Sequence, residues 1–225
     1  MNHSNLSAIT FDIGGTLIEC QPSVGHLYAQ VAARHGFDQL DPALLNRQFA
    51  TAWRTLKDFH HTRAQWAALV DATFRGLVPV LPSQTFFPDL YDRFCAPDAW
   101  HVFPDVRPTL QALAGRGFKL GVISNWDERL RPLLRALGLQ DYFQTIVVSC
   151  EVGVPKPSPL IFQHAARQLD LPPEAILHIG DSPAHDVAGA RAAGCQALQL
   201  ARPVAAEPGR IGSLRELLSW PRLAP

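Results

Sequence analysis

Five short apolar runs, Ala8–Phe11, Lys119–Ile123, Thr145–Val148, Ala175–Ile179 and Gln196–Leu200, constrain this chain more than any other feature. Stretches such as GVIS and VVS do not alternate between apolar and polar residues, so a strand built from them buries both faces. Parallel neighbours in such a sheet need crossover connections long enough to hold a helix. The intervals supply them, because Val106–Arg116, Asp127–Leu137, Pro159–Leu169 and Ala184–Ala193 read as helices. Strand and helix therefore alternate at the spacing of βαβ units, and the expected fold is α/β, a parallel sheet covered on both faces. A chain of 225 residues that is 47% hydrophobic and 18% charged has ample material for a large core.

One interval breaks the rhythm. Between Phe11 and Lys119 lies far more chain than one crossover needs, so a second unit is inserted there. Leu27, Val31, Leu44, Phe49, Trp53, Leu56, Trp66, Leu69, Val70 and Phe74 recur at helical spacings, and prolines from Pro22 to Pro104 punctuate them. The expected organisation is an α/β core formed by residues 1–20 and 104–225, with a helical cap over 21–103. The aromatic residues of that insert are expected mainly to form its own core.

Lysines plus arginines number 20 and aspartates plus glutamates 20, so no overall field draws the chain to nucleic acid or an acidic membrane. The N-terminal MNHSNLSAIT has no signal-peptide pattern, and no apolar run approaches about 18 residues. A cytoplasmic location is the expectation. Cys20, Cys95, Cys150 and Cys195 are scattered without a CxxC pair, which points to reduced, mostly buried thiols.

The chemistry-bearing residues follow the strands. Asp12 stands directly after the first, ahead of Gly14 and Gly15, whose backbone can turn tightly and present N–H groups to an anion. Ser124 and Asn125 follow the second. Lys156, one of only three lysines, lies in a proline-rich loop after the third. Asp181 ends the fourth, with Asp186 five residues on. Taken singly, each has an ordinary role as a turn residue, helix cap or solvated side chain. Together they bring a nucleophile, a hydroxyl, a cation and a pair of carboxylates to one sheet edge, the complement that phosphoryl transfer requires.

In their order, FDIGGTL, VISN, GVPKPSPLIF and HIGDSPAHDVAGARAAG resemble the motifs of the haloacid dehalogenase-like hydrolases, with a cap between the first and second. The phrasing also resembles the branch that includes the rhythmically expressed gene two protein. The resemblance implies a Rossmann-like core with a helical cap and Asp12 as nucleophile. It further implies Ser124 and Lys156 on the transferred group, and magnesium held by Asp12, the Gly14 carbonyl, Asp181 and Asp186.

Phosphatases of the family read DxDxT, and the second Asp serves as general acid and base. Gly14 occupies that position here, which retains the carbonyl and removes the proton donor. His26, His35, His60 and His61 are the insert residues whose imidazoles could replace the acid, and no spacing singles one out; Lys57 could instead form the Schiff base that a phosphonatase needs. The expected function is a magnesium-dependent hydrolase of a small phosphorylated metabolite, working through an aspartyl-phosphate with impaired acid–base catalysis. No nucleic-acid or membrane partner is expected, and the sequence does not set the oligomeric state. Two alternatives share the pocket: a non-catalytic phosphate-binding or protein-interaction module, and a 2-haloacid dehalogenase-like hydrolase.

Overall fold

The computed structural model describes residues 6–56, 58–202 and 209–220. Lys57 and, in the Ala/Pro-rich tail after Ala201, residues 203–208 and 221–225 lie outside the described residues. The chain runs β1 (Ala8–Phe11), β2 (Ile18–Cys20), α1 (Val24–Arg34), α2 (Pro42–Thr55), α3 (Arg63–Phe74), α4 (Phe87–Arg93) and β3 (Trp100–Val102). It continues through α5 (Val106–Gly115), β4 (Lys119–Ser124), α6 (Leu130–Ala136), β5 (Thr145–Val148), α7 (Ser149–Val152), α8 (Pro159–Leu169) and β6 (Ile176–Gly180). A π-helical turn over Pro183–Ala188 leads into α9 (Gly189–Ala192), followed by β7 (Gln196–Leu200) and β8 (Arg210–Ile211).

Six strands form a parallel sheet in the order β5-β4-β1-β6-β7-β8. The architecture is α/β and Rossmann-like. β1 is central because its four residues are all buried and its two edges pair with β4 and β6. The chain adds β4 and β5 on one side of β1 and returns to add β6 and β7 on the other. That reversal creates a crevice above the C-terminal end of β1, where ligands of open α/β sheets bind. Phe11 is level with Val122 of β4 and Ile179 of β6, so residues just beyond these positions emerge at one edge.

The described chain divides into two compact units, one drawing on residues up to Glu19 and from Val102 onward, the other Cys20–His101. The first packs Ala8, Ile123, Val147, Ile161, Phe162, Ile176 and Ala190 into a common core. The second is a helical unit with its own core of Tyr28, Val31, Leu45, Val70, Phe74, Phe86 and Leu90. Tyr28 meets Phe49, Phe74 and Phe94 in ring contacts, whereas Trp53 is 42% exposed. Local chemistry starts these helices. Asp41 caps α2 ahead of Pro42, and Thr62 with Gln65 forms a capping box on α3.

Some sequence expectations need correction. Helix α6 begins at Leu130 rather than Asp127, because Asp127 turns back to accept bonds from the Arg129 N–H and guanidinium. The cysteines are not mostly buried: only Cys195 is, while Cys95 is exposed and Cys20 and Cys150 are intermediate. Among the described residues, no helix is long and apolar enough to cross a membrane.

Candidate active site

Asp12 is the first residue past β1, and its N–H is bonded to Ile179 O at 2.9 Å. Its side chain is 11% exposed, and the carboxylate meets two donors at Oδ1, Lys156 Nζ at 2.6 Å and Ser124 Oγ at 3.1 Å. The same ammonium donates to Asp186 Oδ1 at 2.5 Å. Burial alone would lower the Lys156 pKa, but the two carboxylates raise it, so the ammonium stays charged. Burial pushes Asp12 up, with Lys156 opposing and Asp186 adding to the rise.

Asp181 follows β6 directly. Burial of its carboxyl, then the charges of Asp12 and Asp186, push it up to about 6. Asp12, Asp181 and Asp186 each place an oxygen within 4.8 Å of the others. Three hard oxygen donors crowded this way suit a divalent cation, which would relieve the repulsion that raises Asp181.

Asp186 is differently placed. Lys156 and His178 occupy its Oδ1, and the Ser182 N–H donates to Oδ2 at 2.9 Å. Burial would raise this carboxyl, but Lys156 and His178 hold it well below the usual range. Its place exists because residue 180 is glycine: a Cβ there would stand 2.1 Å from Asp186 Cγ. Ser182 caps the π-helical turn through a bond from the His185 N–H, which leaves Asp181 free of that task.

Two expected ligand groups are committed elsewhere. The Gly15 N–H donates to Ile18 O at 2.8 Å within the turn, so it is not offered to a substrate. Gly15 serves by lacking a side chain: at φ +74° its Cβ would approach Asp181 Oδ2 to 2.7 Å. The turn pairs Ile18 with Ile13 O and the Gly15 N–H, leaving the N–H and carbonyl of Gly14 outside it. The Asn125 side chain spends one of its amide hydrogens and its oxygen on the chain itself. It accepts from the Lys156 N–H at 2.7 Å and donates to Lys156 O at 2.9 Å, fixing the backbone that carries the ammonium.

His178 escaped the sequence reading. It is fully buried in β6, 2.9 Å from Thr10 Oγ1 at Nδ1 and 3.2 Å from Asp186 Oδ1 at Nε2. Burial lowers its pKa, and an ionised carboxylate only accepts, so the proton of the neutral ring sits on Nε2 and Thr10 donates to Nδ1. Its signal was a lone polar residue inside the apolar run ILHIG. The imidazoles of His26, His35 and His61 meet residues of their own unit, and His60 is tied there by its backbone. His26 meets Ser23, His35 pairs with Asp89, the His60 N–H donates to Gln65, and His61 packs against Phe59 and Trp66.

A doubly wound parallel sheet that sets a buried carboxylate at its switch point, with a lysine and two further carboxylates around it, defines a class of α/β hydrolases. Residues 6–194 match the haloacid dehalogenase-like hydrolases, and the chain belongs to that family. It is 34% identical over 212 residues to the human haloacid dehalogenase-like hydrolase domain-containing protein 3, covering 89% of this chain and 84% of that one. It is 32% identical over 204 residues to a phosphoglycolate phosphatase from Chromobacterium violaceum, covering 88% of this chain and 86% of that one. Neither name is that of the rhythmically expressed gene two branch. Among solved structures, a HAD phosphatase from Thermococcus onnurineus superposes with TM-score 0.70 at 25% identity, covering 95% of this chain and 97% of the other.

Proposed function

We propose that this chain is a magnesium-dependent phosphatase of a small phosphorylated metabolite, working through an aspartyl-phosphate on Asp12, in the cytoplasm. The observation that carries the reading is the sharing of Lys156 Nζ between Asp12 and Asp186, with Ser124 on the same Asp12 oxygen. Oδ1 of Asp12 is thereby held, which leaves Oδ2 to attack phosphorus. Lys156 and Ser124 are positioned to bind the phosphoryl oxygens as charge develops on them. The resemblance to a phosphoglycolate phosphatase supports a phosphate monoester as substrate.

Asp12, the Gly14 carbonyl and Asp181 would hold magnesium, which supplies positive charge that offsets the repulsion between carboxylate and phosphate. Asp186 accepts from Lys156, His178 and Ser182 and so fixes Lys156, and its oxygen beside those of Asp12 and Asp181 would join them around the ion, directly or through a water. In the first step the Asp12 Oδ2–P bond forms and the bond from phosphorus to the ester oxygen breaks. The leaving oxygen takes the electron pair and receives its proton from solvent where it needs one, because Gly14 offers none. In the second step water attacks phosphorus, the bond to Asp12 breaks, inorganic phosphate departs, and the proton of the water passes to solvent.

The test is a panel of phosphorylated metabolites assayed with and without magnesium, beside Asp12→Asn. Phosphate release that needs both magnesium and Asp12 is the expected result. Halide release from a 2-haloacid without magnesium would assign the site to dehalogenation. Phosphate binding with no turnover and no trapped phospho-enzyme would make the chain a binding module.

A further inference from the structure

Strand β6 buries Ile176, Leu177, His178, Ile179 and Gly180, and of these His178 alone has a polar side chain. An imidazole there gives up its hydration, which costs free energy unless both ring nitrogens find partners. Both do. Thr10, level with His178 on the neighbouring strand β1, has its hydroxyl 2.9 Å from Nδ1, and Asp186 Oδ1 lies 3.2 Å from Nε2. Phe162 of α8 meets the ring in a T-shaped contact, with centroids 5.0 Å apart and planes at 82°, so packing supports the orientation that the two hydrogen bonds set.

These partners form a circuit. From Thr10 the bonds run through His178 to Asp186, from Asp186 to Lys156 at 2.5 Å, and from Lys156 to Asp12 at 2.6 Å. The Asp12 N–H continues the β1–β6 ladder to Ile179 O, so Thr10 and Asp12, two residues apart in extended chain, face the same side of the sheet. A succession of side chains that leaves β1 at Thr10 thus returns to it at Asp12. Thr10, His178 and Asp186 are each at most 1% exposed, so these bonds are made away from water.

The member of the circuit that needs holding is Lys156. Its ammonium ends a long side chain, and three rotating donors do not by themselves define a direction. Asp186 Oδ1 supplies one, provided that oxygen is itself fixed. The Ser182 N–H secures Oδ2 at 2.9 Å, and the His178 Nε2–H secures Oδ1. We propose that His178 is a positioning residue for phosphoryl transfer: its Nε2–H, kept on that nitrogen by Thr10 donating to Nδ1, fixes Asp186 Oδ1 and through it the Lys156 ammonium beside the attacking carboxylate. The proposal rests on the phosphatase reading of the same site. Charge on the phosphoryl oxygens shifts on the way to the transition state, so a loosened ammonium lowers kcat more than it raises KM.

The test replaces the ring by two amides of the same polarity and different reach. Glutamine can place its NH2 where Nε2 stands, whereas asparagine reaches only the place of Nδ1 and so can bond Thr10 but not Asp186. On p-nitrophenyl phosphate under saturating magnesium, His178→Gln is expected to keep kcat within about threefold of wild type. His178→Asn is expected to lower kcat about ten- to a hundredfold with little change in KM, the scale of one hydrogen bond to a charged group. A kcat that falls equally in the two variants overturns the positioning role and leaves the phosphatase reading standing. Nitrogen NMR of His178 in the wild-type chain gives a readout that needs neither turnover nor a variant, and it decides the matter if the asparagine variant does not fold. The Nε2–H tautomer is expected, and Nδ1–H overturns the proposal. Failure of the wild-type chain to hydrolyse this ester or any phosphorylated metabolite of the panel overturns the phosphatase reading, and the proposal with it.

Discussion

On the proposed mechanism Gly14 keeps a backbone carbonyl and lacks a proton donor, and the structure shows what a side chain at that position would meet. Its φ lies outside the left-handed region, and a Cβ there meets Trp126 at ordinary contact distance, so an L side chain fits with a small adjustment of the indole. Gly14→Asp is expected to raise turnover of alkyl phosphates by up to the order of 10²–10⁴ when the new carboxylate reaches the leaving oxygen, and to raise p-nitrophenyl phosphate turnover less. Single-turnover rates on the two substrates check this. Lys156→Met removes the ammonium between two carboxylates and leaves them buried and uncompensated. Loss of activity is expected together with destabilisation of about 3–5 kcal/mol, the cost of breaking a buried pair, measured by urea unfolding. Asp12, Ser124, Lys156 and Asp181 were legible because each ends a strand, directly follows one or lies in the connection beyond one. The work of Asn125 and His178 was not, since it depends on which backbone and which strand each faces across the sheet.

At the scale of elements, the π-helical turn and the strand before it form one device. Gly180 ends β6 with no side chain, and Asp186 fills the space that a side chain would take. Gly180→Ala is expected to expel Asp186 from its contacts with Lys156 and Ser182, and to lower kcat by more than the loss of thermal stability accounts for. Phosphate-release kinetics beside a melting curve test this. The long elements could be read in the sequence because apolar runs and helical periodicity are local signals. Strands β2, β3 and β8 could not, being three, three and two residues long and defined by distant partners. Boundaries shifted where a side chain competed with the helix, as at Asp127.

For the molecule as a whole, Asp105 at the start of α5 gathers the later chain onto the sheet unit. It accepts from Arg202 at 2.8 and 2.9 Å, from Ser213 Oγ at 2.8 Å and from the Leu214 N–H at 2.8 Å. Arg202 also donates to Thr16 O and stacks on Phe103. Burial would raise the Asp105 carboxyl, but these donors outweigh it and hold it below its ordinary value of 3.8. A depressed folded pKa contributes stability that is present above the ordinary value and lost as pH falls through the folded one. Asp105→Asn should therefore destabilise the chain at neutral pH, and the gap from wild type should narrow as both are acidified, as denaturant titrations at several pH values would show.

The placing of β1 also bears on how the molecule is made. This strand is near the start of the chain, yet Ala8 pairs with Lys119 on one side and Ile176 on the other. During synthesis its apolar residues emerge first and wait for both neighbours, while Cys20–His101 can already gather its own core. Of the strands in the finished sheet, the central one thus waits through the longest stretch of chain for its partners, a long-range closure that slows folding and leaves AITF a target for chaperones or self-association in the nascent chain.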